Sequence, residues 1–199
     1  HNAPGLWKGQ SIRALYKTGD GRLWLATSSG QLCWFNQQTN QVDPVLPGPS
    51  FFGKVPGNAL SFYQDKSGAL WIGDGNLGLG RITGWQNGRP AVEAFPTETV
   101  RPWRGNYAPT KIMEDASRHL WMVSPDALRR FAPRTKTFET FAFFGDDLTE
   151  ADRDWARVDR NTFPTLFQDR RGRLWVVTSE GLWRFDSDKK TFEKFQSDR

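Results

Sequence analysis

Few residues in this chain have types and spacings that could do chemistry. Cys33 is the one thiol, set in the apolar run of Leu32, Cys33, Trp34 and Phe35. That setting reads as a buried small hydrophobe and not as a nucleophile. The histidines are His1 and His119. A general base must lie within about 3 Å of the proton it takes. His119 falls in a tight turn, away from the long connecting loops where a pocket would form. The acidic set Asp146, Asp147, Asp152 and Asp154 lacks the alternating register of a calcium loop. It reads as solvated helix charge, so no metal site and no cofactor are expected. Residues 73–78 satisfy the G-x-G-x-x-G pattern. A dinucleotide site needs that pattern between a strand and a helix. Here it leads from one strand into another.

One cluster remains. Arg101, Trp103, Arg104, Asn106 and Tyr107 stand within a single connecting segment. Aromatic planes beside guanidinium and amide groups suit sugars or planar anions, through stacking and paired hydrogen bonds. Arg101, Trp103, Arg104 and Tyr107 are therefore the expected ligand contacts. The alternative is that Trp103 and Tyr107 pack the loop onto its scaffold.

The scaffold is legible as a repeat. A Leu-Trp pair recurs at intervals of about fifty residues, ending in Trp24, Trp71, Trp121 and Trp175. Asp65, Asp115 and Asp169 stand at one fixed distance before these pairs, with Thr18 in the first copy. Gly21, Gly68 and Gly172 stand at another, with Arg118 in the third copy. The four tryptophans and three aspartates read as structural. An Asp carboxylate can accept turn N–H groups, and Gly supplies a positive φ.

Each copy parses into four short strands, A to D. Strand A covers 12–16 in copy one and 165–168 in copy four. Strand B covers 23–26, 70–73, 120–123 and 174–177. In copy four, strands C and D cover 182–185 and 191–195. Strand B does not alternate between apolar and polar, which implies burial on both faces. A sheet flanked by two like itself meets that need. Four strands per unit at this pitch predict an all-β fold, a β-propeller of four four-stranded antiparallel blades. The blades are expected over about 11–45, 58–95, 109–141 and 164–195 of one 1–199 domain. The connectors from D to the next A vary in length, so that face is the expected site. In the third connector, Leu148, Ala151, Trp155 and Val158 predict a short amphipathic helix over 147–158.

Composition narrows the class. The chain has 199 residues, 14% aromatic, with ten tryptophans. That aromatic load argues against disorder. No apolar run is long enough to span a membrane as a helix. The net charge of +5 is dispersed, whereas nucleic-acid binding wants a clustered stripe.

The segments 169–178 and 181–185, with 65–73, closely resemble the two-component regulator propeller repeat. The resemblance runs over about residues 11–195. It implies a periplasmic sensor domain of a bacterial membrane receptor, commonly a hybrid histidine kinase and sometimes a diguanylate cyclase. Such propellers usually have seven blades, so four copies imply part of a larger ring; a closed four-bladed ring is the alternative. The expected function is recognition of an extracytoplasmic ligand, with carbohydrate implied by the family. Expected partners are a small molecule or oligosaccharide, and the remaining blades or a second copy of the chain. Nucleic acid is not expected, and contact with a membrane only through a transmembrane segment elsewhere. Two alternatives stand beside it: a lyase of the streptogramin lyase type, which would imply a histidine base and magnesium, and a protein-docking scaffold.

Overall fold

A computed structural model describes residues 11–27, 31–46, 59–74, 78–86, 89–97, 110–124, 127–143, 164–178 and 181–195. The segment 147–158, where a helix was expected, lies outside them. The described residues form sixteen strands in four antiparallel four-stranded sheets. This is the β-propeller fold, and each sheet is a blade in meander order.

The chain divides into two compact units, 1–109 and 110–199. The first holds β1 (Ile12–Lys17), β2 (Leu23–Thr27), β3 (Leu32–Asn36) and β4 (Gln41–Leu46) in one sheet. Its second sheet is β5 (Ala59–Gln64), β6 (Leu70–Asp74), β7 (Gly78–Gln86) and β8 (Arg89–Pro96). The second unit holds β9 (Lys111–Glu114), β10 (Leu120–Ser124), β11 (Ala127–Ala132) and β12 (Thr137–Ala142). Its other sheet is β13 (Thr165–Gln168), β14 (Leu174–Thr178), β15 (Gly181–Asp186) and β16 (Thr191–Phe195).

Both units are held by apolar faces pressed sheet to sheet. In the first, Trp24, Ala26 and Leu32 meet Phe62, Leu70 and Ile72. In the second, Trp121, Val123, Leu128 and Phe141 meet Leu166, Leu174, Val176 and Phe185. Burying one large apolar side chain stabilises the fold by about 1.5–3 kcal/mol, so these interfaces account for much of the stability.

The continuous apolar run of strand B behaves as expected in β10, which is buried throughout. It does not in β14, where burial alternates. One face of β14 packs on the third sheet. The other face leaves Val177 44% exposed, and with it Phe167, Leu182 and Phe195.

The second sheet departs from its siblings. Strands β7 and β8 have 9 and 8 residues, against 5 and 6 for β3 and β4. Their register shifts between Ile82 and Gly84. A bulge of this kind turns the strand and re-aims the residues beyond it. The hairpin then continues through Trp85. At its other end Gly78 sits at φ 106°, where a Cβ would lie 2.5 Å from the carbonyl oxygen of Phe95. Glycine is required there, which gives the last position of the G-x-G-x-x-G pattern a steric explanation at the start of a strand.

Candidate functional site

The A–B turns share one construction. The backbone N–H at the Asp or Thr position bonds the carbonyl four residues on, and its carbonyl accepts from the residue three on. That closes a type I turn ending in a left-handed residue. Gly21, Gly68 and Gly172 take the left-handed position at φ 86°, 88° and 78°, and Arg118 takes it at 66°.

The aspartates fasten these turns to strand B. Asp65 Oδ1 accepts from the backbone N–H groups of Ser67 and Ala69, and Oδ2 accepts from Trp71 Nε1 at 2.8 Å. Asp115 Oδ1 accepts from His119 N, and Oδ2 from Trp121 Nε1 at 2.8 Å. Asp169 accepts from Arg171 N and Arg173 N, and from Trp175 Nε1 at 3.0 Å. Burial of the Asp65 carboxyl pushes its pKa up, yet the bonds from Ser67, Trp71 and Ala69 together outweigh that and hold it below 3.8. The Trp175 indole, with Arg173 and the turn N–H groups, holds Asp169 lower still.

Strands C and D extend the pattern across the sheet. Trp71 pairs with Arg81 and Arg81 with Glu93. Trp121 pairs with Arg130 and Arg130 with Glu139, while Trp175 pairs with Arg184 and Arg184 with Glu193. Arg81 lies 5.5 Å over Trp71 and Arg130 lies 5.6 Å over Trp121. Arg130 and Arg184 form ion pairs with Glu139 and Glu193. Cation–π contact and a cross-strand ion pair both favour this row.

The first sheet breaks the pattern twice. Thr18 replaces the aspartate, and Trp34 replaces the strand C arginine opposite Trp24. Asp20 supplies a carboxylate instead. Its Oδ1 accepts from Thr18 Oγ1 at 2.5 Å and from Arg22 N at 3.2 Å, and Arg22 Nε lies 3.4 Å from Oδ2. The Thr18 hydroxyl bond, with the contributions of Arg22, holds the Asp20 carboxyl below its usual range against the opposing effect of desolvation. Beyond the β7 bulge, Trp85 stands 6.0 Å from Trp24 and 6.4 Å from Trp34. The Arg22 guanidinium caps this group, 5.4 Å from the Trp34 ring and 5.2 Å from Trp85.

Between the two sheets of the first unit runs a groove of about 530 Å³, lined by Asp20, Arg22, Trp24, Gln64, Arg81 and Trp85 among others. Gln64 ties its two sides. Its Oε1 accepts from Gly19 N at 2.6 Å, and its backbone N donates to Tyr16 Oη at 3.1 Å.

The sequence-predicted ligand contacts Arg101, Trp103, Arg104 and Tyr107 lie outside the described residues, as do Asp146, Asp147, Asp152 and Asp154. His119 lies in an A–B turn with Nδ1 3.3 Å from Asp115 Oδ2. Cys33 is fully buried, and desolvation pushes its thiol up to about 11. Among the described residues no cluster of His, Cys, Asp and Glu could hold a metal. The groove lies on the A–B turn side, whereas sequence reasoning looked to the connectors. Its signal was present as two departures from the repeat, Thr18 and Trp34.

Residues 7–29 and 158–180 match the family model described as two component regulator propeller. Both segments thus resemble the two-component regulator propeller repeat. They carry the A–B turn and strand B tryptophan of the first and fourth blades, Trp24 and Trp175. No curated protein matches the chain in sequence. Solved structures share its fold. Two are extracellular domains from B. thetaiotaomicron described as parts of hybrid two component systems. One has TM-score 0.67 and 20% identity over 94% of this chain, the other 0.60 and 16% over 95%. The chain spans 22% of the length of each. YCF48 from Cyanidioschyzon merolae has TM-score 0.56 and 17% identity over 86% of this chain and 49% of its own. At such identities the likeness is one of fold.

Proposed function

We propose that the chain serves as part of an extracytoplasmic sensor propeller that binds a ligand and catalyses no reaction, in a periplasmic receptor with a separate output domain. The observation that supports this is the pair of regulator propeller repeats on a fold shared with extracellular receptor domains. The ligand in this reading is a carbohydrate, met by Arg101, Trp103, Arg104 and Tyr107 on the connector side. Calorimetric titration with neutral and acidic oligosaccharides tests it. Binding that survives Trp103→Ala with Arg104→Ala rejects this site, and no binding to the chain or to its full-length receptor rejects the ligand class.

The partner in this reading is a further blade. The exposed face of the fourth sheet supports it. Phe167, Val177, Leu182 and Phe195 are exposed there. The positions in the third sheet matching Val177, Leu182 and Phe195 are Val123, Leu128 and Phe141, buried against the next sheet. A repeat that uses one face to receive its successor offers the same face at every copy.

A further inference from the structure

We propose that the groove lined by Asp20, Arg22 and Trp85 binds a small carboxylate ligand that carries a flat ring face. This goes beyond the sensor reading and stands without it, because it rests on other residues.

The repeat supplies an internal reference. Three blades keep the aspartate that fastens the strand B tryptophan, and three keep an arginine opposite that tryptophan on strand C. These are structural solutions, used wherever only the blade must be held. The first blade abandons both at once, at Thr18 and Trp34. The neighbouring blade lengthens one hairpin and bulges it, which brings Trp85 to the same place. Blade stability alone does not call for these changes, since the siblings are stable without them. Together they make a groove with an aromatic wall and an arginine.

The chemistry of the lining selects the ligand. Arg22 uses Nε on Asp20, and its two Nη atoms have no hydrogen-bond partner among the described residues. A guanidinium held in this way presents a fork that fits a carboxylate. Asp20 fixes the orientation of Arg22, and the Trp34 and Trp85 rings confine it from one side. Trp85 is 42% exposed, so its indole offers a flat surface to a ring.

Two kinds of carboxylate share this chemistry, sugar acids and aromatic acids. Titration of the chain with glucuronate and benzoate, each beside its neutral twin methyl glucoside or benzamide, separates them. Tryptophan fluorescence and calorimetry give the readout. At least one acid is expected to bind, and its twin is not. Arg22→Gln should weaken binding about tenfold or more, the effect of losing a charge-assisted pair. Trp85→Ala should weaken it as well. Arg173→Gln is the control, because Arg173 stands at the matching turn position of the fourth blade, 5.4 Å over Trp175. It should bind as the native chain does. Failure of both acids, equal binding of a neutral twin, native affinity in Arg22→Gln, or equal weakening by Arg173→Gln would each overturn the assignment. Arg22 is a surface residue, so its variant remains informative should Trp85→Ala not fold.

Discussion

Trp121 Nε1 donates to Asp115 Oδ2 at 2.8 Å, and the same carboxylate takes the His119 backbone N–H on its other oxygen. One side chain thus fastens an edge turn to the buried centre of its blade. Trp121 is 3% exposed, so its N–H has little access to water as a substitute acceptor. Asp115→Ala should therefore cost about 2–3 kcal/mol, the scale for stranding buried donors of a charged acceptor. Asp115→Asn, which keeps an acceptor oxygen, should cost less. Urea unfolding of both variants checks the order; equal stability of Asp115→Ala and the native chain would rule out this role.

The tryptophans divide into two kinds. Trp121→Ala removes a ring packed on Phe141 and Phe185, and should cost about 3–5 kcal/mol. Trp85 is partly exposed on a hairpin end. Trp85→Ala should cost well under half as much. Thermal melts of the two variants side by side would show the difference.

Arg118 holds φ 66° where its counterparts are glycine. Its contact with Glu114 at 3.2 Å joins an arginine 58% exposed to a carboxylate side chain only 3% exposed, so the pair offsets part of that strain. Arg118→Gly should relieve the strain and stabilise the chain by up to about 1 kcal/mol. Gly172→Ala, made at the same turn position of the fourth blade, should destabilise it by a similar amount. Opposite signs are the expected result.

Much of this was readable in the residues, for physical reasons. The blades were legible because the Leu-Trp pair, the turn aspartate and the left-handed residue recur, and recurrence separates a constraint from chance. The φ of Arg118 was legible by substitution from its siblings. The lengthened β7–β8 hairpin was not. Its bulge at Ile82 and Gly84 depends on cross-strand pairing that local sequence does not reveal. The groove was hidden for the same reason. Asp20 and Arg22 are far from Trp85 in sequence, and only the approach of two sheets unites them.

Acid should weaken the turns through the aspartates. The folded pKa of Asp65 lies below the ordinary 3.8 because its hydrogen bonds outweigh desolvation. A depressed folded value means the contribution is complete above the unfolded pKa and is lost as pH falls through the folded one. Stability should thus hold at neutral pH and decline below about pH 4. Asp65→Asn should flatten that decline. The Trp71 indole N–H resonance, tracked through the titration, should shift with protonation of Asp65.

Cys33 should be inert in the folded chain. Burial raises its thiol to about 11 and leaves it fully covered, and the thiolate is the reactive form. A thiol reagent at neutral pH should label it only as the chain unfolds. Labelling at the rate of a free thiol in the absence of denaturant would contradict the burial.

The exposed face of the fourth sheet should behave as an unfilled interface. Phe167 is 63% exposed, with Val177, Leu182 and Phe195 beside it on the same sheet. Contiguous apolar surface of this kind attracts dyes and other chains. The chain should enhance the fluorescence of an anionic naphthalene dye, and Phe167→Lys with Leu182→Lys should remove most of the enhancement. Because both side chains already meet water, the double variant should change stability by no more than about 0.5 kcal/mol per site. The matching change in the third sheet, Leu128→Lys, places an ammonium in a fully buried position and should cost about 3 kcal/mol or more. A longer chain carrying the next blade should lose the dye signal without any substitution. If the dye signal persisted there, or survived the double variant, the face would not be the surface that receives a neighbouring blade.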